Sequence, residues 1–467
     1  MRVTRTRAAG AASKESCTPG RGVGPSATKT ELDRLYRKIA LRLLPFLFVA
    51  YIVNSIDRVN ISFAKLRMMD DLGLSTATYG LGASLFFVGY VLFEVPSNLY
   101  MQRIGARATV MRIMILWGLI TVATGFVTAP TQLYILRFLL GAAEAGFFPC
   151  IILYLTYWFP AARRGRITSM FVLAVPTAGI LSGPLATWIM NTFDGAHGLH
   201  GWQVLFVYEG IPAVLLGILA WFLLPDGPTA ATWLTERERA VTISAIESEQ
   251  ASRTAPAMSG GVFRQLLTDK RVYIAGFVFF AMYAGFNVFS YWTPTLLEGL
   301  GIDDLTTIGM LSTLPAIGAV IGMIVNGRSS DRRLERRFHV AVPLLIAGIC
   351  FGALLLTRSN VLLSMILLTT AATMCFGTLP VFWTVPPSYL SPVTAAVGIA
   401  LISSIGGVAA FITPNLIGQI TVATGSIHNA LLVVGALLIV AAVVMVKGIP
   451  ARVLQEHRAA STTHTES

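Results

Sequence analysis

Asp57, Arg58, Glu94, Arg137 and Glu144 stand inside stretches that are otherwise apolar. An ionised side chain in the hydrocarbon of a membrane costs roughly 2.5–3.5 kcal/mol even on a lenient insertion scale, so each needs a reason to be there. Arginines supply fixed positive charge that can hold an anion, and carboxyl groups can gain and lose a proton. Arg137 and Glu144 are seven residues apart. That is two helical turns, which puts them on one face with about 10 Å between their levels. Asp57 and Arg137 fall at similar depths from the same end of their stretches and can meet if both helices line one cavity. Asp57 then has two candidate cations, Arg58 and Arg137. Glu144 lies deeper, has no cation beside it in sequence, and is the better candidate for a proton that binds and leaves. Glu94, in Phe93-Glu94-Val95-Pro96-Ser97-Asn98, is close to a basic turn. An ion pair with Arg107 or Arg112 that stabilises a gate explains it as well as ligand contact does. The plainer alternative for the other four is an ion-pair network that only joins two helices, which apolar packing could replace at little loss.

The elements that position these residues are membrane spans. Of the 467 residues, 55% are hydrophobic and only 12% are charged, whereas a soluble domain carries about 25% charged residues. The chain is therefore expected to be an all-α integral membrane protein. A helix needs about 20 apolar residues to cross the hydrocarbon layer. Twelve stretches qualify: roughly 39–61, 78–99, 108–128, 131–153, 166–190, 202–224, 272–297, 306–327, 338–357, 360–384, 394–420 and 427–447. They are too long, and lack the period-two alternation, for strands of a barrel. The net charge of +12 falls in the gaps between these runs. It reads as a topology signal rather than a nucleic-acid footprint. Cys17, Cys150, Cys350 and Cys375 offer neither a disulfide framework nor metal-ligand spacing. No metal or cofactor is expected. Neither is an enzyme, since no nucleophile–base pair or phosphate-cradling loop is present.

Arg34, Arg37 and Lys38, then Arg103 and Arg107, then Arg163, Arg164 and Arg166, then Arg328 to Arg337, return to one side. Asp70, Asp71, Asp194, Glu298, Asp303 and Asp304 fall on the other, which also holds His197 and His200 as solvated loop residues. The positive-inside rule then makes both termini cytoplasmic. The expected organisation is a basic tail (1–38), six helices (39–225), a cytoplasmic linker (226–271), six more helices (272–447) and a second tail (448–467). In the linker Thr235-Glu-Arg-Glu238 is a capping box that opens a short helix through about Glu249. The halves repeat. Asn98 to Arg107 follows the second span and Gly327 to Arg332 the eighth, with a basic turn in each. Glu94, Arg103, Arg107, Asp331 and Arg332 are the expected gate. Internal repeats of this kind build alternating-access carriers. In the second half, Tyr283, Asn287, Ser290, Tyr291 and Trp292 crowd one span and Trp383 and Thr384 another. Tyr283, Asn287, Tyr291 and Trp383 are the substrate-contact candidates, with hydrogen bonding between helices as the alternative for each. Pro294, Pro386, Pro387 and Pro414 are expected kinks.

Several motifs resemble the major facilitator superfamily and, within it, the anion:cation symporter family. Asp57-Arg58-Val-Asn60 is similar to that family's span-one signature. Tyr79-Gly80-Leu-Gly82 and Phe86-Phe87-Val-Gly89-Tyr90 through Asn98 resemble the bacterial branch of tartrate, phthalate and hydroxyphenylacetate permeases. So do Trp158-Phe159-Pro160 with Arg163-Arg164-Gly165-Arg166, and Pro225-Asp226-Gly-Pro228 with Trp233-Leu234. The resemblance covers about 35–447. It departs at Asn98 and Gln102 in the first basic turn, and at Gly407, where relatives often carry Asn. It implies proton-coupled uptake of a small organic anion, with Asp57 and Glu144 carrying protons and Arg58 and Arg137 handling charge. The expected partners are that anion, protons and the bilayer of the inner membrane, with the chain acting as a monomer. A drug/proton antiporter is the second expectation, because Gly179-Ile-Leu-Ser-Gly183-Pro184 resembles part of the antiporter motif.

Overall fold

The computed structural model describes residues 28–252, 268–390 and 392–449, and regular structure among them is helical throughout. Twelve helical stretches are long and apolar enough to cross a membrane. Spans one to six are Thr30–Leu72, Thr76–Met101, Ala106–Thr124, Pro130–Thr156, Ala161–Thr192 and Gly201–Leu223. Spans seven to twelve are Lys270–Tyr291, Leu305–Arg333, Arg337–Leu356, Val361–Ser388, Val397–Thr424 and Ile427–Gly448.

Span one departs most from expectation. Residues 28–38, expected as part of a tail, are helical from Lys29 onward, and the helix runs to Leu72. The start is fixed by a capping box: the Glu31 N–H donates to the Thr28 hydroxyl, and the Glu31 carboxylate accepts from the Thr28 N–H at 2.9 Å. Leu35, Tyr36 and Ile39 bury one face of this extension. Residues 1–27 of the expected tail, and 450–467 of the second one, lie outside the described residues.

The linker helix, Glu236–Ser252, starts at the Thr235/Glu238 capping box and packs under the first six spans. Glu238 accepts from Lys38 at 2.8 Å, and Glu249 accepts from the Ala161 N–H at 2.7 Å and from Arg164 at 3.3 Å. Burial raises the Glu238 carboxyl, but the bond from Lys38 and the Thr235 donors outweigh it and hold it below the usual carboxylate range.

Within the membrane, tails of lipid are as apolar as leucine, so helices associate by close backbone approach rather than by hydrophobic burial. Glycine makes that approach possible. A Cβ on Gly141 of span four would strike the Phe86 carbonyl of span two, and one on Gly89 would strike the Phe138 carbonyl in return. Gly118 and Gly210 pair spans three and six in the same way, and Gly348 and Gly435 pair spans nine and twelve.

The first six spans meet the last six through a set of contacts gathered at one end. Lys65 donates to Thr295 at 2.9 Å, Tyr79 to the Tyr291 carbonyl at 2.7 Å, and Asn191 to Thr306 at 2.9 Å. The Asn415 N–H donates to Ser84 at 3.1 Å, while Gly80 rests on the Pro414 carbonyl and Gly183 on Gly309. All of these lie away from the arginine-bearing turns. Toward the arginine-bearing end Gly407 of span eleven faces open space.

Gly141→Val forces side-chain atoms into the span-two backbone. Overpacking of this kind costs about 1–3 kcal/mol. The thermal midpoint of the purified variant in detergent is expected to fall clearly below that of Gly407→Ala, whose added methyl meets no neighbour.

Candidate functional site

Span one carries a polar face at the level where spans three, four and six surround it. Asn54 and Arg58 are one turn apart and both reach Glu144 of span four. The Asn54 amide donates to Glu144 Oε2 at 2.9 Å and Arg58 Nε to the same oxygen at 2.7 Å. Asp57 points elsewhere. Its Oδ1 accepts from Asn60 at 3.0 Å and its Oδ2 from Thr121 of span three at 2.8 Å. Neighbouring helix residues diverge by 100° around the axis, so Asp57 and Arg58 cannot share one partner. The expected Asp57–Arg58 pairing is therefore corrected: Arg58 belongs to Glu144. Glu144, which has no cation beside it in sequence, finds this one across the helix interface.

Glu144 and Asp57 are both fully buried, and the Arg58 side chain keeps 29% of its exposure. The Arg58 guanidinium also lies 5.0 Å from the Tyr90 ring centroid and 5.6 Å from that of Phe86. Such cation–π contacts supplement the ion pair from the span-two side.

Arg137 differs from Arg58 in having no ion pair. It is 2% exposed, its Nε and Nη2 have no hydrogen-bond partner, and its guanidinium lies 5.8 Å from the Phe206 ring centroid. Asp57 is the first among the groups whose charge bears on it, followed by Tyr291, Tyr79 and Glu144. The expected meeting of Asp57 and Arg137 is thus a neighbourhood rather than a direct bridge. Arg58 Nη2, Glu144 Oε1 and Asn54 Oδ1 are likewise buried without partners. A carboxylate in this space would meet two free donors on Arg137 in the fork geometry that suits bidentate binding.

Span four breaks directly after Glu144. The first helix ends there, Ala145 is extended with ψ of 127°, and Gly146 takes φ of +88° before helix resumes at Phe147. Only glycine adopts that backbone cheaply. A Cβ at Gly146 would also collide with Ser97 of span two.

From the last six spans, Tyr291 is buried, its ring 6.1 Å from Phe87 of span two. Tyr283 and Trp383 are half-buried and both meet the Phe279 ring edge-on, with centroids at 5.7 and 4.8 Å. Asn287 donates to the Ala409 carbonyl of span eleven at 3.2 Å, so its amide nitrogen ties two helices together.

The expected gate residues scatter. Glu94 is half-buried and makes neither of the expected ion pairs. The cation whose charge reaches it is Arg58, and Tyr90 and Tyr283 lie in the same field. Arg112 instead donates to Ser97 at 2.8 Å, and Arg107 donates its backbone N–H to Asp226 at 2.9 Å with its guanidinium over Trp221. Asp331 pairs with Arg336 at 2.6 Å, and Arg103 and Arg332 are exposed.

Two buried charges lie beyond the sequence-based set. Lys65 falls past the expected end of span one and sits between the rings of Tyr79 and Trp292, at 4.5 and 4.3 Å. Glu209 stands in the middle of span six, in Phe206-Val-Tyr-Glu209-Gly210, 6% exposed. The signal for Glu209 was present: a lone acid inside an apolar run.

A chain that threads lipid this many times around a buried polar cluster has the build of a membrane carrier. Its sequence matches the model of the Major Facilitator Superfamily over residues 47–414. The chain belongs to that superfamily, and it is a multi-pass membrane transporter rather than an enzyme. It is 42% identical to the "Putative metabolite transport protein NicT" of Pseudomonas putida, over 90% of this chain and 95% of that one. It is 41% identical to a "Putative tartrate transporter" of Agrobacterium vitis, over 88% and 90%. A "Quinolone resistance transporter" of Acinetobacter baumannii is 38% identical over 85% and 90%. Among solved structures, a bacterial homologue of the human lysosomal transporter Spinster, in an inward-facing and occupied conformation, superposes with a TM-score of 0.68 at 18% identity, over 88% and 96%. These relatives are consistent with the anion:cation symporter branch.

Arg58→Ala strands Glu144 as a buried unpaired charge. Breaking such a pair costs about 3–5 kcal/mol. In a double-mutant cycle read by unfolding in detergent, Arg58→Ala combined with Glu144→Ala is expected to cost less than the sum of the single changes.

Proposed function

We propose that this transporter takes up a small organic anion together with protons. The observation that carries the reading is Arg137: a buried cation with two free donors and no ion pair, in reach of two buried acids. Glu144 occupies Arg58, and Asp57 bears on Arg137. Protonation of the two acids removes the negative charge that competes for the arginines, so both guanidinium groups become free for a substrate carboxylate. Loss of the protons on the far side restores the competition and expels the substrate. Coupling here is competition between carboxylates for the same cations.

Tyr283, Tyr291 and Trp383 form the opposing wall against which the organic part of the anion rests, with Asn287 holding that wall in place. The basic turns mark the cytoplasmic side, so the end sealed by Lys65, Tyr79 and Asn191 faces outward and both termini lie inside. Arg103, Arg107, Asp331 and Arg332 stand at the end that closes in the opposite state, and Glu94 belongs with Arg58 on the path between. The first six spans (39–225) rock as one unit against the last six (272–447), in a monomer of the bacterial inner membrane. The relative named for tartrate supports a hydroxy-diacid, and the Phe279–Tyr283–Trp383 cluster suits an aromatic acid.

Export of a drug in exchange for protons is the second reading, supported by the relative named for quinolone resistance. Two arginines in the site favour an anion over a lipophilic cation.

Proteoliposomes with an acidic exterior are expected to accumulate one member of a panel of tartrate, phthalate, hydroxyphenylacetate and sugar acids, in proportion to the pH gradient. Glu144→Gln is expected to abolish the dependence on the gradient. Arg137→Gln removes charge-assisted bonds worth about 1.5–3 kcal/mol, so the apparent KM should rise about tenfold or more. Gradient-independent uptake by the unaltered protein, or proton-driven efflux of the same compounds, sinks the symport reading.

A further inference from the structure

Glu209 has no place in the coupling scheme above, yet its surroundings demand an explanation. Both of its carboxyl oxygens are buried and receive no hydrogen bond. Asn60 of span one faces it within hydrogen-bonding reach, and Asp57 is the charged group that bears on it. Asn60 already commits its amide to the other acid. Its amide nitrogen donates to Asp57 Oδ1 at 3.0 Å, and its own Oδ1 is a second buried acceptor without a donor. The single Asn60 amide thus lies between two buried acids, and Thr121 adds a bond at 2.8 Å to Asp57 only.

The surrounding elements supply no remedy. Span three presses its backbone on span six through Gly118 and Gly210, and from Ile113 to Thr124 it has no charged residue. Span five packs on span six and carries no charged side chain from Ala174 to Thr192. Asp57 is the first of the charged groups that bear on Arg137 of span four, and among the described residues no cation bears on Glu209. A hydrogen on Glu209 removes the uncompensated charge: the carboxylic acid has a proton to offer the partnerless Asn60 Oδ1, while Asn60 keeps its bond to Asp57.

We infer that Glu209 is a proton-binding site, and that it forms with Asp57 a buried acid pair sharing one proton across span one and span six. Two carboxylates this close and this dry do not both ionise readily. When Asp57 is the carboxylate facing Arg137, the proton rests on Glu209. When substrate takes Arg137, the proton moves to Asp57 and Glu209 is left as the anion. In that transfer one O–H bond breaks and one forms; the pair gains its proton from the outer solution and gives it up on the inner side. The inference rests on the symport reading for its place in the cycle, but the proton itself does not.

Infrared difference spectra of the purified protein, recorded across a pH titration, test it directly. The unaltered protein is expected to show a protonated-carboxyl stretch that bleaches as pH rises and is missing in Glu209→Gln. In proteoliposomes Glu209→Gln should lose accumulation driven by the pH gradient, and Glu209→Asp should recover part of it. A carboxyl band that never titrates, with Glu209→Gln accumulating substrate at every pH as the unaltered protein does, overturns the inference. So does a band that responds to sodium and not to pH, which would make the site one for a metal cation. Should Glu209→Gln fail to fold, Asp57→Asn decides: removing the neighbouring charge must move the pH at which the band titrates, and an unmoved titration refutes the pair. If the unaltered protein accumulates no acid at all, the symport reading fails, while the infrared titration still decides Glu209.

Discussion

A charge withdrawn from water must be answered by another charge or by oriented dipoles, and nearly every specific feature of the first six spans follows from that demand. The pair between Arg58 and Glu144 is where it is met most completely. It fixes the rotation of span one against span four. That rotation in turn sends Asp57 toward Thr121 and leaves Arg137 without a partner. The glycine contacts of span two with span four hold the helix of Glu144 and Arg137 close to the one that sets Phe86 and Tyr90 against Arg58.

The answer is deliberately incomplete. A buried donor or acceptor left unmade costs about 1–3 kcal/mol, and this site holds several: on Arg137, Arg58, Glu144, Asn54 and Asn60. A protein selected for rigidity alone would fill such positions with apolar residues. Here the unmet groups are of both signs and cluster around one level of the membrane. That is the condition for a site where ligand and proton exchange places, since either one relieves what the other leaves open.

The spans were legible in the sequence because a run of about 20 apolar residues has no other stable use. Where a helix leaves the hydrocarbon the rule loses its grip, and span one shows it: the amphipathic stretch at Leu32, Leu35 and Tyr36 and the buried Lys65 both lie beyond the apolar run. The four residues of the site were visible by type and spacing, but their pairing was not. Partner choice across helices depends on rotation and crossing, and a single helix's periodicity does not encode how its neighbour is turned. Asn287 illustrates the same limit, since a polar residue in a span reads alike whether it meets a ligand or a backbone carbonyl.

The interruption after Glu144 divides span four into two rods. The Arg137-bearing rod, Pro130–Glu144, is clamped to span two by Gly89 and Gly141, whereas Phe147–Thr156 packs into the apolar cluster with Trp117 and Phe171. Bending at Ala145–Gly146 therefore transmits little torque between them. Each rod is held by its own neighbours within the first six spans, so the guanidinium keeps its place in the wall of the site as that half turns.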